Sequence, residues 1–87
     1  MTLKTRAQRE ARKEDLRRVV GNNVRRLRKL RGQTQRDLAE KLGKTVQAVR
    51  LWEKAKNTMT LFSAVEVCRE LDTTLSRLVT EVTEVAR

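Results

Sequence analysis

Residues 35–54, QRDLAEKLGKTVQAVRLWEK, constrain the fold more than any other stretch of this chain. Leu38, Ala39 and Leu42 precede Gly43, and Val49 and Trp52 follow it. At a helical period of about 3.6 residues each group forms one apolar stripe, and a tight turn lets the two stripes face each other. Ala39 is small enough to lie where the second helix crosses closely. Gly43 accepts the left-handed conformation that ends the first of these helices. The outer face of the second helix, with Val46, Gln47, Arg50 and Leu51, is left outside the pair. A helix held out in this way has the diameter to enter the major groove of DNA.

The remaining punctuation predicts an all-α chain. There is no Pro and no Tyr, and only three Gly, a composition that suits helices with short connections. Eighty-seven residues allow a single domain with a core barely large enough to fold alone. Gly21-Asn22-Asn23 reads as an interruption that caps a helix over about 22–31, with Val24, Leu27 and Arg28 on one side and Gly32 at its end. Thr34-Gln35-Arg36-Asp37 resembles a capping box and starts a helix over 35–42. Thr45 caps a third over 46–53, and a loop spans 54–59. Thr60 caps a fourth over 61–71, whose apolar residues are Leu61, Ala64, Val65, Val67, Cys68 and Leu71. A fifth starts near Leu75 and carries Leu78, Val79, Val82 and Val85. The chain thus divides into a basic arm or helix over 1–21, a domain over 22–80, and a helical extension over 81–87.

Charge separates these parts. Residues 1–31 hold twelve Lys or Arg against three Asp or Glu, whereas residues 32–87 hold nine against eight. A generic solubility excess would be spread over the surface, and a localised one suits a polyanion. Residues 1–20 have good helix propensity but a thin apolar stripe of Ala7, Ala11 and Leu16, so the segment reads as a marginal helix. Two readings stay open for it: a solvated arm with no role, or an arm whose Arg6, Arg9, Arg12, Lys13 and Arg17 lie along phosphates. Cys68 has no partner for an intrachain disulfide and falls on an apolar stripe, which marks a small core residue. With no His and one Cys, no structural zinc site and no cofactor is expected. Neither a spanning apolar run nor a signal-peptide pattern occurs, so no membrane partner is expected and the expected location is the cytoplasm.

On these residues the chain resembles the lambda-repressor-like helix-turn-helix family, also called the Cro/repressor or XRE family. The matching set is Val24 to Arg28, Thr34-Gln35, Leu38-Ala39, Leu42-Gly43, Val49, Trp52-Glu53, Thr60-Leu61, Val67-Cys68, Leu71, and Leu75 to Val79. Its docking geometry is a standard one, with the second helix of the motif in the major groove. The resemblance implies five helices, the third of them over 46–53 as the recognition helix. It implies that Gln35 clamps a phosphate, which suits a helix amino terminus. It places Lys44, Thr45, Val46, Gln47, Ala48, Arg50 and Leu51 at or beside DNA, with Lys54, Lys56 and Asn57 in the following loop suited to phosphates. Gln47 is the candidate for direct readout, because a Gln amide bonds adenine at two atoms. Val46, Ala48 and Leu51 suit thymine methyls, and Arg50 suits a phosphate or a guanine. Arg28 and Glu53 match a structural ion pair of the family, an Arg fork on a carboxylate. The chain departs from the family in having Ala55 and Asp72 where Gly is common, Met59 where Pro is common, and a basic segment before residue 22. The turn at Ala55 is therefore expected to be reshaped.

The leading functional expectation is a sequence-specific DNA-binding transcriptional regulator of repressor type, bound as a homodimer to double-stranded DNA in a bacterial or phage-host cytoplasm, associated with the nucleoid. Val82 and Val85 form the expected dimer seam. The alternatives are an antitoxin or coactivator-type adaptor that binds a protein partner, and architectural nucleic-acid binding led by the arm. An enzyme is not expected: there is no His, no nucleophile beside a base, no Gly-rich phosphate loop, and no small-molecule substrate is implied.

Overall fold

A computed structural model describes residues 5–82 of the chain. Five helices follow in order: α1 (Arg6–Leu30), α2 (Gln35–Leu42), α3 (Val46–Glu53), α4 (Leu61–Glu70) and α5 (Leu75–Leu78). A threonine begins each one. Thr5, Thr34, Thr45, Thr60 and Thr74 all have extended backbone, and each hydroxyl accepts from the backbone N–H three residues on, at 3.0 to 3.1 Å. Each cap satisfies an otherwise orphaned donor and contributes about 0.5–2 kcal/mol. Thr34 with Asp37 and Thr5 with Gln8 complete reciprocal capping boxes. Gly43 ends α2 in the left-handed region, at φ 66° and ψ 32°.

The core lies where the helices cross. α3 packs on α1 and α2, α2 also on α4, and α5 on α1 and α4. Val24, Leu38, Val49, Val67 and Leu78 are fully buried, and Ala39, Trp52, Cys68 and Leu71 complete the cluster. Each large apolar side chain among them contributes about 1.5–3 kcal/mol by leaving water. Burial also pushes the Cys68 thiol up from its ordinary value, which keeps it an unreactive core group.

Three expectations are corrected. Gly21-Asn22-Asn23 is no interruption: α1 runs through it without a break. Gly21 is buried because the carboxyl end of α3 approaches it, and a Cβ there would stand 3.1 Å from the Glu53 carbonyl oxygen. Asn23 caps a different helix. Its amide donates to the carbonyls of Leu78 at 2.8 Å, Thr80 at 3.0 Å and Arg77 at 3.3 Å, groups left orphaned at the end of α5. The fifth helix, in turn, does not continue through Val82 but stops at Leu78. Its last carbonyls turn to Asn23, and the Thr80 hydroxyl donates back to the Ser76 carbonyl at 2.6 Å. Glu81 and Val82 lie outside any helix, and Val85 lies outside the described residues. Leu61 belongs to the fourth helix as expected, and at its first turn it is 73% exposed, with Phe62 70% exposed.

The turn at Ala55, expected to be reshaped, keeps the left-handed conformation that Gly would favour, at φ 60°. Asp72 does the same at φ 54°. Both turns are imposed by the packing of the helices on either side, against a local cost of about 1–2 kcal/mol for a residue bearing a Cβ.

Candidate nucleic-acid interface

The interface begins at Glu53, the last residue of α3. Its carboxylate accepts from three donors brought by two other helices. Arg28 of α1 donates through Nε at 2.7 Å and Nη2 at 3.0 Å, and Gln35 of α2 donates through Nε2 at 3.0 Å. The third Arg28 nitrogen, Nη1, donates to the Gln33 carbonyl at 2.7 Å. The two charged side chains are only 9% and 4% exposed, so the expected fork-on-carboxylate pair is formed and buried. This network fixes the positions of α1 and α2 against the end of α3. Charge-assisted bonds of this kind are short and direction-specific, so they set the angle at which α3 stands out.

Gln35 thus has one amide N–H on Glu53. A Gln amide carries two, and among the described residues no acceptor takes the second, at the amino terminus of α2. Asp37 in the same turn is held below the ordinary carboxylate range, first by the Thr34 backbone N–H at 2.9 Å and then by the Thr34 hydroxyl.

The residues expected at the interface do not all stand out equally. Lys44, Thr45, Gln47 and Arg50 are exposed, and so are Lys54, Lys56 and Asn57 in the loop that follows. Leu51 is half-buried. Val46 and Ala48, expected to be free for thymine methyls, are instead half-buried and packed against the core, because α3 lies with one edge down on its neighbours. On the outer face the Arg50 guanidinium donates to Gln47 Oε1 at 2.9 Å. The two side chains that sequence singles out for base contact therefore meet each other one turn apart.

The arm residues Arg6, Arg9, Arg12 and Lys13 lie exposed along the first turns of α1, and Arg17 is half-buried. They belong to the same rigid helix as Arg28. Among the described residues no group of three or more His, Cys, Asp or Glu side chains is placed to hold a metal ion, and no helix is long and apolar enough to cross a membrane.

Residues 24–78 match the helix-turn-helix family. The chain is a helix-turn-helix protein of the lambda-repressor-like, XRE type. The matched span runs from Val24 in α1 to the last residue of α5, so it contains all of the Glu53 network. The fold of this helix-turn-helix protein is also similar to the crystal structure of a hypothetical transcription factor, NHTF, from Neisseria. The TM-score is 0.74 at 25% identity, over 79% of this chain and 78% of that one. No curated protein matches the sequence.

Sequence reasoning missed Asn23 and Gly21 as positioning residues. An Asn next to a Gly reads as a turn from local chemistry alone. The only available signal was that Gly21 sits at helical spacing from Val24 and Arg28, and Asn23 from Val19 and Leu27.

Proposed function

We propose that this helix-turn-helix protein is a sequence-specific transcriptional regulator, acting as a repressor from the two-fold site of a DNA-bound homodimer. Residues 22–80 carry the DNA-binding unit, and α3 enters the major groove. One observation carries the reading: the Arg28–Glu53–Gln35 network anchors the inner end of α3 while Gln47 and Arg50 are left exposed on its outer face. A rigid scaffold with two polar side chains presented together is what direct readout needs. A Gln must accept from adenine N6 with the same oxygen that accepts from Arg50 in the free protein. DNA binding thus exchanges the Gln47–Arg50 bond for base contacts and frees Arg50 for a guanine or a phosphate. Gln35, Lys44, Thr45, Lys54, Lys56 and Asn57 then position the helix on the backbone, and Arg6, Arg9 and Arg12 extend that track.

Selection of bound sequences from a random DNA pool at physiological salt tests the reading. An enriched motif of two inverted half-sites is the expected result, and absence of enrichment refutes it. Gln47→Ala should relax preference at one or two base pairs by about 1–3 kcal/mol. A uniform loss over all sequences would assign Gln47 to the backbone instead.

A further inference from the structure

The continuity of α1 through Gly21 creates a second surface. The amino-terminal half of the helix overhangs the loop before α4, the first turn of α4, and α5. Between them lies an open groove of about 840 Å³. Its base is apolar, with Val20, Met59, Ala64 and Leu78. Leu16, Leu61, Leu75 and Val79 line it and are 48%, 73%, 39% and 48% exposed. Isolated exposed leucines are ordinary, but four large, partly exposed apolar side chains lining one groove form a patch of the kind that marks an interaction site.

The charge of the groove has one sign. Among the described residues Lys13 and Arg17 are its only charged lining residues. Among the described residues Arg17 has no carboxylate within ion-pairing distance, and Lys13 has only Glu10, 3.7 Å away on the exposed side of the same helix.

We propose that this groove docks an acidic amphipathic segment of a partner protein. The apolar face of the segment covers Leu16, Leu61, Leu75 and Val79, and its carboxylates lie beside Lys13 and Arg17. This is the helix-in-groove mode of recognition, with apolar anchors for affinity and charges at the edge for orientation. Charge complementarity selects the occupant. An isologous contact with a second copy of this chain would set Lys13 and Arg17 against the same two cations, in the part of the chain that holds nearly all of its positive excess. A DNA backbone would suit the two cations but has nothing apolar to cover Leu61 and Val79. A small molecule would be poorly enclosed in a trough this open, since such sites bury most of their ligand. Gln47 and Arg50 do not line the groove, so the proposal stands or falls independently of DNA readout by α3.

The test uses the full chain, immobilised, against a displayed library of random peptides about 15 residues long. Enriched peptides should pair apolar residues at helical spacing with flanking Glu or Asp. A synthetic copy of the best one, labelled for fluorescence anisotropy, should bind at least about tenfold more weakly to Leu61→Ser/Leu75→Ser and to Lys13→Glu/Arg17→Glu. The anisotropy assay is read only on variants with retained helical circular dichroism; Leu61→Ser alone, at a position 73% exposed, replaces the first pair if that pair unfolds. Enrichment without acidic residues, or binding that survives both pairs of changes, overturns the proposal. So does a doubling of mass in sedimentation that Leu61→Ser abolishes, which assigns the groove to a second copy. Loss of DNA affinity in Lys13→Glu/Arg17→Glu, with no effect of either pair on peptide binding, assigns it to phosphates.

Discussion

Gly21→Ala sets two physical rules against each other. Gly21 lies in the interior of a 25-residue helix, where helix propensity alone gives Ala an advantage of about 1 kcal/mol. The tertiary structure predicts the opposite sign. A Cβ at this position falls inside contact distance of the Trp52 carbonyl oxygen, 3.1 Å from the Glu53 carbonyl oxygen and 3.3 Å from the carbon of that group. All three are backbone atoms at the end of α3, so no side chain can rotate away. Relief requires α1 and α3 to separate. A gap of about 0.5–1 Å forfeits a quarter to a half of the dispersion energy of each atom pair across the crossing. It also lengthens the 2.7 Å Arg28–Glu53 bond, which spans the same two helices. Overpacking of this kind costs about 1–3 kcal/mol. With the cost near the top of that range and about 1 kcal/mol returned by propensity, the net loss is about 2 kcal/mol. For a domain of this size that lowers the melting temperature by about 8–16 °C. Helical circular dichroism followed through a thermal melt measures it, and urea titration followed by the fluorescence of Trp52 checks the same interface. An Ala variant that melts at or above the parent would refute the close-approach argument and leave propensity in charge.

Glu53→Gln leaves the buried Arg28 guanidinium without its counter-charge and should cost about 3–5 kcal/mol in urea unfolding, whereas replacing both partners by apolar residues should cost less than the two single changes together. Ala55→Gly and Asp72→Gly should each raise stability by about 0.5–1 kcal/mol, because they release the strain of positive φ and lose part of that to chain entropy; a drop in melting temperature would show that the turns do not need the left-handed conformation. Asp37 titrates lower in the folded chain than in the unfolded one, so its contribution is present above the unfolded value and lost as pH falls through the folded one. Acid unfolding below about pH 4 should therefore be shallower in Asp37→Asn, and an unchanged profile would remove the Thr34–Asp37 box from the acid response.

Several parts of this protein were determined by local sequence. The boundaries of α2 and α3 are fixed by Thr34, Thr45 and Gly43, whose roles depend on atoms within three or four residues of each. The facing stripes of Leu38, Ala39, Val49 and Trp52 follow from helical period, and all four are in the core. The Arg28–Glu53 pair was legible through family resemblance, since it joins residues 25 apart. Tertiary structure alone decided the rest. Gly21 is tolerated inside a helix only because another helix end occupies the space a side chain would take. Asn23 turns from its own backbone to α5, 55 residues away, because buried carbonyls there need a donor. Val46 and Ala48 lost their freedom to the tilt of α3 on the core, which periodicity cannot specify. The overhang of α1 follows from Gly21. Whether a chain stops or continues at a glycine is settled by what packs against it, and that information is not local.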